Sequence, residues 1–77
     1  MMKSEWSEIE RLLQELIDLQ RKKTLACGRQ IIPSLTSDDL LQPNDFLALE
    51  THHNFRYEEG ILAGIQSVQT AFRALKN

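Results

Sequence analysis

Between Tyr57 and Lys76, large apolar side chains recur at Ile61, Ile65, Val68, Phe72 and Leu75, at alternating spacings of four and three residues. That period is one face of a helix. One position earlier, Gly60, Gly64, Ser67, Ala71 and Ala74 repeat the same spacing with small side chains. A large stripe therefore runs beside a small one. Large side chains fill a core, and small ones let a neighbouring backbone come close. Glycine inside a helix costs roughly 1 kcal/mol relative to alanine. A tight contact at Gly64, with Ala26-Cys27-Gly28 of the same chain or across a dimer, is the expected compensation.

The helical period also runs from about residue 4 to residue 31. Ile9, Leu12, Leu13, Leu16, Gln20, Lys23 and Cys27 fall on one side, widened at its flanks by Trp6, Ile17 and Leu19. Arg11, Gln14, Glu15, Asp18, Arg21, Lys22 and Arg29 take the other side. The apolar arc is broader than one partner helix covers. Ser4 is the expected cap at its start. Leu25 lands on the polar side and is expected to touch the connection that follows. Gln20, near the centre of the arc, has two readings: a polar group that sets register in a helical seam, or a partly exposed flank.

Pro33 disfavours helical geometry at Ile32 and ends this helix. The connector, about residues 33–53, holds Leu35, Leu40, Leu41, Phe46 and Leu49, too many apolar residues to leave in water. Short helical turns are predicted inside it. Thr36 and Asp39 have the spacing of a capping box, Pro43 breaks the chain, and Asn44 is placed to cap the next turn. The connector is expected to fold over one end of the long helices as a lid. Asn54 is the predicted cap of the last helix, about residues 55–76.

The chain has 77 residues, a formal charge of −2, one cysteine and 42% hydrophobic residues. That length allows one domain, and a chain so short is hard to stabilise without a disulfide, a metal or a partner. One cysteine forms no internal disulfide. No apolar run approaches the ~20 residues of a membrane span, no signal peptide is evident, and a cytoplasmic location is expected. The weak net charge gives no field for nucleic acid or anionic lipid. Strand signals are missing. Both long helices are acidic early and basic late, so an antiparallel hairpin sets opposite charges side by side.

Candidate chemistry is sparse. His52 and His53 lack a metal-ligand spacing on one helical face; a metal bridging two subunits is the remaining use for them. Cys27 sits with small apolar neighbours rather than beside a base or cation. Glu58 and Glu59 are about 100° apart on a helix and do not converge as an acid/base pair. Arg21, Lys22, Lys23 and Arg29 complement the helix dipole, or contact phosphates. The sequence thus predicts an all-α chain, an antiparallel helical hairpin with a short-helix capping connector, dimerising into a four-helix bundle. No catalytic residue, metal site or cofactor is expected. The expected interface comprises Leu12, Leu16 and Leu19 with Ile61, Gly64, Ile65, Val68, Ala71 and Phe72. The function read from this is non-catalytic: a small interaction, assembly or adaptor protein that binds itself or another helix. The alternative is a dimeric nucleic-acid-binding hairpin using Arg21, Lys22, Lys23 and Arg29.

Overall fold

The structure, a computed structural model, describes the backbone of residues 2–76 and the side chains of residues 5–75. Two long helices, α1 (Met2–Ile31) and α3 (His53–Lys76), pack antiparallel. Between them lie two 3₁₀ turns, Asp38–Leu41 and Pro43–Asp45, and one short turn of helix, α2 (Leu47–Glu50). The described residues contain no strand.

α1 starts before Ser4, so Ser4 lies inside the helix and is not its cap; its side chain is outside the described residues. The other end follows the proline rule: the Ile32 amide still bonds the Gly28 carbonyl at 2.8 Å, and Pro33 ends the helix there. Thr36 and Asp39 form the expected reciprocal pair. The Thr36 amide donates to Asp39 Oδ2 at 2.9 Å and the Asp39 amide to Thr36 Oγ1 at 3.3 Å. Asn44 does not cap α2. It lies within the second 3₁₀ turn, and the extended residue Phe46 holds the cap position without a side-chain bond. Asn54 is displaced in the same way. α3 begins one residue before it, and His52 does the capping: its Nδ1 accepts from the Phe55 amide at 3.4 Å, and its carbonyl accepts from the Arg56 amide at 3.0 Å.

The best-buried apolar cluster sits at the closed end of the hairpin. Leu35, Leu49 and Phe55 form its centre, and Leu25, Cys27, Ile31, Ile32, Leu40 and Phe46 pack around it. The connector is therefore the lid that its leucines implied, and Leu25 reaches it from α1. Gly28 is what lets the lid close. A Cβ there would lie 2.5 Å from Leu35 Cδ2 and 3.2 Å from Phe55 Cε1, and both atoms belong to fully buried side chains.

Along the rest of the hairpin the two helices meet on a seam with a seven-residue repeat. From α1 it takes Trp6, Leu13, Ile17, Gln20 and Thr24; from α3, Phe55, Glu58, Leu62, Ile65, Gln69 and Phe72, all buried or half-buried. Three contacts set the register. The Trp6 and Phe72 rings lie 4.7 Å apart, Gln69 Nε2 donates to Gln14 Oε1 at 2.9 Å, and Gln20 Nε2 donates to Glu58 Oε1 at 2.8 Å. Gln20 also donates to the Glu58 carbonyl at 3.0 Å, and the neighbouring Thr24 hydroxyl donates to the Gln20 carbonyl at 2.7 Å. Of the two readings of Gln20, the structure selects register: the side chain is buried, and it locks α1 to α3 within one chain.

Candidate functional site

The expected interface residues divide between two places. Ile65 and Phe72 belong to the seam inside the hairpin, and Ile61 is half-buried beside it. The others face solvent: Leu12, Leu16, Leu19 and Val68 are 45–69% exposed, and Gly64 and Ala71 are exposed beside them. Ile9, Tyr57 and Leu75 join that exposed set.

The exposed apolar residues of the two long helices follow a simple rule; Leu41 and Leu47, exposed in the connector, stand outside it. Ile9, Leu12, Leu16 and Leu19 in α1 keep the seven-residue repeat, and so do Tyr57, the half-buried Ile61, Gly64, Val68, Ala71 and Leu75 in α3. On both helices the exposed apolar stripe stands one residue before the seam. One residue is about 100° of rotation. Two antiparallel helices are related by a local two-fold axis, so the same backward step turns both stripes toward the same face of the hairpin. One broad face is thus apolar. A step forward reaches the opposite face, which carries Arg11, Asp18 and Arg21 from α1 and Arg56, Glu59, Gln66, Thr70 and Arg73 from α3. There, Arg56 pairs with Glu59 at 3.4 Å, and a cleft of about 340 Å³ opens between Arg21, Leu25, Leu40, Leu41, Leu62 and Gln66.

The small stripe is part of the apolar face. A Cβ on Gly60 or Gly64 would meet nothing within 4 Å. The contact expected between Gly64 and Ala26-Cys27-Gly28 is therefore not made within the chain. The physical reason is register: Trp6 beside Phe72 and Gln20 beside Glu58 set Gly64 level with residue 14, about 20 Å along α1 from Gly28, while Gly28 lies under the lid.

The other candidate residues find structural work. His52 caps α3 and His53 is exposed; among the described residues no group of three or more His, Cys, Asp or Glu could hold a metal ion. Burial pushes the Cys27 thiol above its ordinary range, and the negative charge of Glu58 adds to this, which is opposite to what activates a nucleophile. Glu58 is held by Gln20, with Lys23 Nζ 4.0 Å from its other oxygen. Arg21, Lys22 and Lys23 are consecutive and fan around the helix, and Arg29 Nε donates to the Leu35 carbonyl at 2.7 Å, fastening the lid. The four cations do not share one face.

Sequence reasoning did not single out Thr24, Phe55, Leu62 or Gln69 as seam residues. The signal that reveals them is the repeat of 55, 58, 62, 65, 69 and 72, visible once Glu58 and Gln69 are admitted to a seam alongside apolar residues.

No helix among the described residues is long and apolar enough to cross a membrane. No family model matches the chain, and neither a curated protein nor a solved structure is detectably similar to it. What the fold and the surface define is a class of architecture: an all-α antiparallel helical hairpin with one apolar face.

Proposed function

We propose that this chain is a small, non-catalytic assembly or adaptor protein that associates with itself through the apolar face of its two long helices. The observation that carries this reading is the shared face: the unburied leucines of α1 and the Val68–Leu75 stripe of α3 converge on one side of the hairpin. Contiguous apolar patches of this kind mark association surfaces. The surface area argues in the same direction. The chain exposes 5665 Å², whereas a compact monomer of this mass exposes about 4,800 Å².

Sedimentation equilibrium over a micromolar range tests the proposal. The parent chain is expected to be a dimer, and Leu12→Asp with Leu16→Asp is expected to be a folded monomer, because neither side chain is needed inside the hairpin. A parent chain that stays monomeric at high concentration defeats the proposal.

A further inference from the structure

Resting on that reading of the apolar face, we infer that the second copy docks with like helices facing each other, α1 on α1 and α3 on α3, about a two-fold axis crossing the helices near residues 14 and 66. The α1 stripe reads the same in both directions about residue 14. Run antiparallel against a second copy, Leu12 meets Leu16, Ile9 meets Leu19, and Glu5 meets Lys23. The apolar residues face one another and the charged ends are complementary. On the outer flank Glu8 falls near Lys22 of the second copy, and Glu15, beside the axis, near its own counterpart. Such surface pairs are worth only ~0–1 kcal/mol each, enough to choose an orientation.

The α3 stripe is matched by size. Antiparallel about residue 66, Gly64 meets Val68, Ile61 meets Ala71, and Tyr57 meets Leu75. Gly64 and Ala71 each oppose a larger side chain, which gives Gly64 the neighbour it lacks within the chain.

A single axis must serve both helices, so residue 14 has to be level with residue 66. The intrachain register meets this condition. Counting along the antiparallel helices from Trp6–Phe72 and from Gln20–Glu58 puts residue 14 level with Gly64, and the Gln14–Gln69 bond puts it level with Gln69. Residue 66 lies between. Facing α1 with α3 instead sets Glu5 opposite Leu75 and leaves the charged flank of α1 against Gly60, Ser67 and Ala74, with no charge to answer it.

Cross-linking tests the arrangement. Glu15 and Ser67 lie beside the proposed axis, on the outer flanks of α1 and α3. Glu15→Cys and Ser67→Cys are made singly in a Cys27→Ala background and treated with a short bis-maleimide, with sedimentation run on each variant. In the like-on-like dimer both positions yield a covalent dimer in high proportion. If α1 faces α3, each position sits diagonally across the bundle from its counterpart and neither cross-links. A dimer by sedimentation that fails to cross-link overturns this arrangement and leaves self-association standing. A monomer by sedimentation overturns both.

Discussion

Gly28 and Gly64 are both helical glycines, and neither has a positive φ, yet they answer to opposite constraints. At Gly28 a methyl group would press on Leu35 and Phe55 in the lid core. Overpacking a full core costs typically about 1–3 kcal/mol, more than the roughly 1 kcal/mol of helix propensity that alanine returns. Gly28→Ala is therefore expected to lower stability by about 1 kcal/mol. At Gly64 the methyl enters open space in the single chain. Measured by urea denaturation at concentrations low enough to keep the chain monomeric, Gly64→Ala should raise stability by about 0.4–1 kcal/mol. In the dimer the same methyl meets Val68 of the second copy, and the gain should vanish as concentration rises. A Gly64→Ala gain that persists unchanged across concentration would mean that this stripe stays in solvent.

At the scale of the helices, α1 and α3 hold their register through a polar node rather than through apolar packing alone. Gln20 and Thr24 are both buried, and Gln20 satisfies one carboxylate oxygen and the backbone carbonyl of Glu58. Gln20→Leu keeps the volume and removes the donor. It takes the donor from one oxygen of the half-buried Glu58 carboxylate, whose other oxygen keeps Lys23 at 4.0 Å, a loss of about 1–3 kcal/mol. The expected reading is a lower urea midpoint with an unchanged slope. An unchanged midpoint would show that apolar packing sets the register without this node. The same element scale explains the displaced caps. A cap position is defined by where the chain leaves extended geometry, and Phe46 and His52 occupy those positions here.

The whole molecule is a long, thin hairpin. Its radius of gyration is 14.7 Å, against about 11.5 Å for a compact domain of this length. Among the described residues the fully buried apolar side chains are few, and most belong to the cluster beneath the lid. So slender a core gives little stability by itself. If association supplies the rest, thermal stability must follow mass action, with the melting temperature of the parent chain rising as protein concentration rises. The Leu12→Asp, Leu16→Asp variant should melt lower and independently of concentration. Equal, concentration-independent melts for both chains would show that the hairpin is stable without a partner.

The helices and the turns of the connector were legible from sequence because each is a local matter; the lid was legible from its apolar residues, and the antiparallel pairing from the acidic-to-basic layout of both helices. Alternating spacings of three and four make an apolar helical face, Pro33 ends α1, and Thr36 with Asp39 closes a turn across three residues. The apolar arc of α1 was equally legible, but not which half of it would be buried. Ile9, Leu12, Leu16 and Leu19 are as apolar as Leu13 and Ile17, and they differ by one residue of rotation. That rotation is chosen over long sequence separations: Gly28 must turn toward Leu35 and Phe55, and Gln20 must reach Glu58. Periodicity places residues on a helix. Only tertiary packing turns the helix, because the contacts that set its rotation lie on other elements, and here that turn hides Ile17 and Phe55 while leaving Leu16 and Gly64 outside.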